Sequence, residues 1–517
     1  MTKIAISLSG GGFRAATFHL GTLSYLNRLK TSNGKPLLDY VNTVSTISGG
    51  TLTGLWFLWG KCKGMSNDDI LSGLDKILKS SDVIGKASRE FLNGDNLNHS
   101  LIREMIRIYD EEIFHNATLG DIMAKIDDIS IDNFSANATE FTNATEFRFQ
   151  VGKVIETAKG GFSQGVIGNI FYKIPKKIAQ QIKLSEVFAA SSCFPGGFEA
   201  LFYPRDFNFS KDPINKEYVN SVKPLAIMDG GIVDNQGIEP VNLIRKRQNI
   251  DLFIISDAGC GKEDPYSFEE NDTLSSISIH RLNIIQNIII AGFASLLLFV
   301  PKGYWTGFVS AALIIFLIIR ISIALSSRIL LNKTTKNIPF TFNWKGLLHI
   351  NFAKIRSLIG SRATSMIKLT DNVFMKHIRT LNYNTIYQDS QWRNRRIMNA
   401  LYELCRGKSW GKHLTPDERK IMEPTEAVSN NSDIAASMGT TLWWSEKDRI
   451  IGKPAALIAA GQYNICWNLL EYIYRLRRDK TNTTEEHKLI EELQEQLEAD
   501  WNKFKENPQF LADISKI

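Results

Sequence analysis

The chain alternates short apolar runs with stretches of helical period. Ile4-Ala5-Ile6-Ser7-Leu8 is apolar and ends at a glycine cluster, which predicts a buried strand. Phe13 to Lys30 then places Phe18, Leu23, Leu26 and Leu29 on one side of a helix. Val41 to Ile47 predicts a second strand, followed by the helix-like TLTGLWFLWG. Ala226-Ile227-Met228 and Leu252 to Ser256 predict further short strands. Strand followed by helix, repeated, argues for an α/β fold layered on a mostly parallel central sheet.

Two longer apolar runs interrupt this pattern, Leu282 to Val300 and Tyr304 to Leu325. Nineteen helical residues at ~1.5 Å each reach ~28 Å, close to the ~30 Å hydrocarbon core of a bilayer. Pro301, Lys302 and Gly303 supply a tight turn, with Tyr304 and Trp305 at headgroup level. Ala291 with Ser295, and Gly307 with Ala311, put small residues at helical spacing where two helices can approach. The expectation is a transmembrane helical hairpin over residues 282–325. The competing readings are a buried helical pair in a soluble core, favoured by Asn283, Gln286, Asn287 and Arg320, and a re-entrant hairpin. Arg281 precedes the hairpin and Arg328, Lys333 and Lys336 follow it, against Lys302 alone in the turn. The positive-inside rule then places both soluble parts in the cytoplasm.

Beyond the hairpin, Phe374 to Arg406 and Ala456 to Arg478 read as helices. The charged tail from Thr483 carries Leu489, Ile490, Leu493 and Leu497, the pattern of an amphipathic packing helix. The expected organisation is a catalytic core at 1–265, the hairpin at 282–325, a helical part at 340–480 completing the catalytic domain, and a tail helix at 481–517.

Composition narrows the function classes. With 44% hydrophobic and 22% charged residues the chain is globular, and a net charge of +7 over 517 residues is too thinly spread for a dedicated nucleic-acid binder. Cys62, Cys193, Cys260, Cys405 and Cys466 are scattered without a CxxC pair, which excludes a disulfide framework and zinc-ligand spacing. The N-terminal MTKIAISLSGGG shows no secretory signal pattern.

Three segments carry candidate chemistry. Gly10-Gly11-Gly12-Phe13-Arg14 lies between strand and helix, where backbone N–H groups cradle a phosphate, hold an oxyanion, or simply turn the chain. The phosphate reading lacks both a GK[ST] ending and GxGxxG spacing. Ser48, in Thr46-Ile47-Ser48-Gly49-Gly50, also sits at a strand-to-helix turn, the logic of a nucleophile elbow. Asp229, in Asp229-Gly230-Gly231, follows a short strand and either points into a crevice or opens an Asp-Gly turn. A hydroxyl, a carboxylate and an N–H-rich loop are the minimum set for acyl transfer. His19, on the first helix, reads as packing or a hydrogen-bond donor.

With these motifs in this order the chain resembles the patatin-like phospholipase family, which joins a GGGxR/K loop, a GxSxG serine and a DGG/A aspartate. Ala190-Ser191-Ser192-Cys193-Phe194-Pro195 resembles the family's ASxAxP segment, and Asn137-Ala138-Thr139-Glu140-Phe141 its central strand. The departure is Thr46, where the family has glycine. The resemblance implies a Ser48–Asp229 dyad cleaving fatty-acyl esters, and an oxyanion hole from Gly10, Gly11 and Gly12. Arg14 would anchor the loop or add charge, with no metal or cofactor. Its partners would be a lipid substrate and the bilayer. The alternative is a non-catalytic or regulated membrane-perturbing effector, of the kind used in bacterial antiviral defence, built on the same fold.

Overall fold

The computed structural model describes residues 3–80, 83–93, 100–155, 162–163, 165–195, 197–259, 278–335, 362, 365–366, 368–478 and 490–516. Cys260, residues 340–361 and the start of the tail through Leu489 lie outside this set. The chain forms two units, Met1–Glu263 with Thr370–Ile517, and Asp264–Leu369.

The first unit is built on a nine-stranded mixed sheet. Its strands are β1 (Ile4–Leu8), β2 (Val41–Ile47), β3 (Asn133–Glu140), β4 (Thr145–Gly152), β5 (Ile167–Gly168), β6 (Leu201–Tyr203), β7 (Leu225–Asp229), β8 (Leu252–Asp257) and β9 (Arg396–Ala400). Their order is β9-β8-β1-β2-β3-β4-β5, with β7 on β3 and β6 on β7. Strands β9, β8, β1, β2 and β3 are parallel, so their carboxyl ends share one rim of the sheet. That rim is where an α/β sheet places its chemistry.

The register along β3 decides what meets there. Antiparallel β4 covers one edge of β3 from Asn133 to Glu140. The other edge carries parallel β2 as far as Ile47 opposite Asn137, and antiparallel β7 from Glu140 back to Asp229 opposite Ala138. Strands β2 and β7 therefore lie end to end and run toward each other. Their carboxyl ends meet across the Asn137–Ala138 peptide.

Helices α1 (Gly12–Arg28), α2 (Gly49–Cys62), α3 (Leu184–Ser192) and α4 (Ile238–Arg245) follow β1, β2, β5 and β7 in chain order. All of α1 before Arg28 is buried, because it is sandwiched between the sheet and other helices. Ala5, Phe253 and Ile255 on one face of the sheet pack with Ile238, Val241 and Ile244 of α4, while the larger core fills the other face.

The second unit holds two apolar helices, α5 (Ile279–Phe299) and α6 (Tyr304–Thr335). Within them His280–Phe299 and Tyr304–Ser322 are long and apolar enough to cross a membrane, and almost none of either span is buried. The helices pair through stacked Phe293 and Phe316, centroids 5.7 Å apart. Arg320 donates to Asn283 Oδ1 at 2.8 Å, so two of the polar groups that weaken the runs pair at the open end of the hairpin. Thr306 donates to Pro301 O at 2.8 Å and fixes the turn. Gly307 faces open space, so close approach of the helices does not use it.

The chain after the hairpin supplies α7 (Lys376–Gln388), α8 (Lys453–Arg478) and α9 (Gln494–Glu506). The expected helix from Phe374 to Arg406 is divided: α7 stops at Asp389, whose carboxylate takes the Gln391 N–H, and Asn394 adopts φ 60°. Arg396–Ala400 then enters the sheet as parallel strand β9 beside β8. Helices α1 and α8 cross at Gly21 and Gly461, where a Cβ on either would stand 2.1 Å from a carbonyl oxygen of the other helix. Helix α9 buries Leu497, Trp501 and Phe504 and docks on α1 through Asp500, which accepts two hydrogen bonds from Arg28, each at 3.0 Å.

Helix α7 is held to the sheet by a buried ion pair. Asp257, at the end of β8, is fully buried and lies 2.5 Å from Arg379. It also accepts from Tyr383 and from the Gly259 N–H. Burial alone would raise its pKa, but the Arg379 charge and these donors outweigh burial and hold the carboxyl below the usual carboxylate range. Removing one partner leaves the other charged and desolvated. Arg379→Met should therefore destabilise the folded protein by about 3–5 kcal/mol, read as a lower urea midpoint at unchanged slope.

Candidate active site

Ser48 is the single residue between β2 and α2, and it adopts φ 51°, ψ −121°. That conformation costs a non-glycine residue on the order of 1–3 kcal/mol, so the surroundings must impose it. The Ser48 N–H donates to Ser191 Oγ at 2.9 Å, and the Thr51 N–H donates to Ser48 O at 2.8 Å. The turn lifts the Ser48 side chain out of the strand at the carboxyl rim, with 7% of the residue exposed.

Thr46, in the place of the family's glycine, fits because of Gly54. A Cβ on Gly54 of α2 would stand 2.3 Å from Thr46 Cγ2, so the threonine methyl occupies the room left by the missing side chain. The Thr46 hydroxyl donates to Ser135 O at 3.2 Å and accepts from Thr51 at 3.1 Å. The elbow bends as required with threonine at this position.

Asp229 closes β7 and is 2% exposed. Its Oδ1 accepts the Gly231 N–H at 2.7 Å, which orients the carboxylate. The end of α3 clamps both motifs. Ser191 Oγ holds the Ser48 N–H and donates to Asn137 O at 2.7 Å. Ser191 O takes the Gly230 N–H at 3.2 Å, and Cys193 O takes the Asp229 N–H at 3.0 Å. One short segment thus fixes the Ser48 turn and Asp229 against the same peptide of β3. Burial first, then the Asp229 charge, push the Cys193 thiol well up, so it stays protonated.

The glycine loop lies on the same rim. A Cβ placed on Gly10 would stand 3.2 Å from the Ser48 Cβ. Gly11 and Gly12 take φ 140° and 60°, values that glycine alone adopts cheaply, and they turn the chain into the N-terminus of α1. The Gly10 N–H is spent on Asn235 O at 3.0 Å, and the Phe13 N–H on Thr441 O at 2.7 Å. Among the described residues the N–H groups of Gly11 and Gly12 meet no acceptor. Of the three glycines expected to line an oxyanion hole, Gly11 and Gly12 thus keep an N–H free to donate among the described residues. Arg14 is buried and donates to Met438 O at 2.9 Å.

His19 supports the loop from beneath. Its Nε2–H donates to Ser9 O at 3.0 Å, and its Nδ1 accepts from the Ser256 hydroxyl at 2.8 Å. Burial lowers its pKa to about 4, so the ring is neutral near pH 7. Three contributors escape a reading of sequence motifs: Gly54, Asn235, and the 438–441 segment that latches Phe13 and Arg14. The pattern DGGIVDNQG places Asn235 six residues after Asp229, and that spacing is the one signal that points to it.

The Thr46–Gly54 fit is open to test. Gly54→Ala should cost about 1–3 kcal/mol by overpacking, and Thr46→Gly combined with Gly54→Ala should recover most of the loss. Denaturation midpoints of the four proteins in the cycle measure the coupling.

Comparisons with known proteins came out as follows. No curated protein matches the chain. Human GIVD cytosolic phospholipase A2 is a solved structure 13% identical, with TM-score 0.31, aligned over 50% of this chain and 46% of that one. The same protein in complex with methyl gamma-linolenyl fluorophosphonate is 15% identical at TM-score 0.31, over 50% and 40% of the two chains. The chain thus spans less than half the length of these structures. The sequence model of the patatin-like phospholipase family matches residues 6–242, which takes in the glycine loop, Ser48 and Asp229. Residues 6–242 are a patatin-like phospholipase domain.

Proposed function

We propose that the protein is a membrane-anchored lipid acyl hydrolase that cleaves fatty-acyl esters with a Ser48–Asp229 dyad. The observation that carries this reading is the end-to-end meeting of β2 and β7 on one edge of β3, which brings the residue after Ile47 against the end of β7. Asp229 takes the Ser48 proton as the serine oxygen attacks the ester carbonyl. Negative charge builds on the carbonyl oxygen and is met by the Gly11 and Gly12 N–H groups at the positive end of α1. Asp229 then returns the proton to the departing alcohol and the acyl-enzyme forms. Water, deprotonated by Asp229, attacks the acyl carbon and frees the fatty acid and Ser48. His19, neutral and bonded at both nitrogens, serves the loop rather than the proton transfer.

The anchor in this proposal is the α5–α6 hairpin, crossing the bilayer with both soluble parts on the cytoplasmic side. Exposed Ile288, Leu298, Phe299 and Ile318 would otherwise face water, and Arg281 and Arg328 flank the end opposite the turn. A lipid substrate makes such tethering useful, because it raises the local concentration of ester at the enzyme.

Two outcomes test the proposal. Ser48→Ala should bring hydrolysis of a dispersed ester to near the uncatalysed rate with folding intact, and Asp229→Asn should cost about 10²–10⁴-fold. Ester hydrolysis at the wild-type rate in either variant rejects the dyad. The wild type should stay with membranes through a high-salt wash and leave only with detergent, since salt screens surface charge but does not extract a spanning helix. Release by salt rejects the anchor.

A further inference from the structure

Asn235 stands at the junction of the three motifs, yet its carboxamide makes no hydrogen bond with any described residue. It is half-buried, and its backbone is firmly held. Its carbonyl takes the Gly10 N–H. The neighbouring Asp234 carboxylate takes the Glu239 N–H at 2.8 Å and an N–H of Asn382 from α7 at 3.0 Å. A Cβ on Gly10 would stand 2.4 Å from Asn235 Oδ1 and 3.2 Å from the Ser48 Cβ. A Cβ on Gly231 would stand 2.6 Å from the same Oδ1 and 2.9 Å from Asp229 Oδ1. The amide head is therefore wedged between the approach to Ser48 and the approach to Asp229 with Oδ1 innermost, and because neither of its polar atoms has a partner among the described residues, a half-turn about the Cβ–Cγ bond puts the Nδ2–H donors there instead.

We propose that the Asn235 carboxamide contacts the substrate and holds the leaving alcohol oxygen between Ser48 and Asp229. This rests on the reading of Ser48 and Asp229 as the acyl-transfer dyad. The chemistry suits an amide. While the ester C–O bond breaks, the alcohol oxygen gains negative charge and accepts a hydrogen bond from the amide N–H until Asp229 delivers its proton. In the second half-reaction a water occupies the same place and passes its proton to Asp229. That water donates as well as accepts, and an amide offers both a donor and an acceptor. Gly10 faces this side of Ser48 and cannot serve, because its own N–H is committed to the Asn235 backbone. The oxyanion is left to Gly11 and Gly12, so the two regions of developing charge have separate donors.

The role predicts dependence on the leaving group. An alkoxide from a glyceryl ester needs a hydrogen bond to depart, whereas p-nitrophenolate leaves unaided. The test uses the full-length chain in detergent micelles, with glyceryl octanoate and p-nitrophenyl octanoate as substrates. For Asn235→Ala, acylation by the glyceryl ester should slow by about 10–100-fold, the loss of one charge-assisted hydrogen bond. The pre-steady-state burst of p-nitrophenol, which reports acylation alone, should stay within about threefold of wild type. Asn235→Leu, close to asparagine in size and without a polar head, gives the same comparison if the alanine variant does not fold. Equal slowing on both substrates, or slowing on neither, overturns the role. The wild-type burst must vanish in Ser48→Ala. If it persists, the dyad itself fails, a result distinct from failure of the Asn235 role.

Discussion

Ser48 sits in a conformation that an L-residue adopts only under constraint, and the constraint comes from strand geometry. One edge of β3 is shared by two strands that run toward each other. Where they meet, each chain must leave the sheet within a residue or two. The strain at Ser48 and the glycines at 230 and 231 are the consequence. Ser191 and Cys193 then accept hydrogen bonds from the Ser48, Asp229 and Gly230 N–H groups and hold the two exits in place. Ser48 and Asp229 are close because the sheet leaves their strands no other course.

The rim that carries Ser48 and Asp229 is not completed by the first half of the chain. Met438 and Thr441 hold Arg14 and Phe13, and α8 lies against α1 at Gly21 and Gly461. A methyl carbon of Met375 lies within 2.9 Å of where a Gly231 side chain would begin, and Asn382 and Arg379 of α7 tie the acid turn and β8 together. The segment matching the family, 6–242, thus carries the motifs, while the chain beyond residue 370 supplies the groups that keep them still. The first unit is thus made of chain from both sides of the apolar helical pair.

Much of this was legible in the sequence. Buried parallel strands such as IAISL and VNTVSTI announce themselves as apolar or β-branched runs ending in glycine or serine, and the two membrane-length runs carry a signal that needs no tertiary context. Strand β9 was hidden because RIMNA is short and follows a good helix, and its strand identity comes from pairing with β8. Thr46 looked like a defect at the elbow. Its acceptability depends on Gly54, eight residues away on a different element, and motif spacing cannot express such a compensation. The reach of the Asn235 carbonyl into the glycine loop was likewise invisible, since backbone acceptors carry no sequence signature.

The central claim is that the strained turn makes Ser48 the activated nucleophile. An alkyl fluorophosphonate reacts covalently with a serine oxygen only where a base and an oxyanion hole assist. After incubation of the full-length protein, intact mass and peptide mapping should show a single adduct on Ser48, formed in step with loss of esterase activity. An adduct on another serine such as Ser191 or Ser192 would contradict the account, as would full loss of activity with no adduct on Ser48.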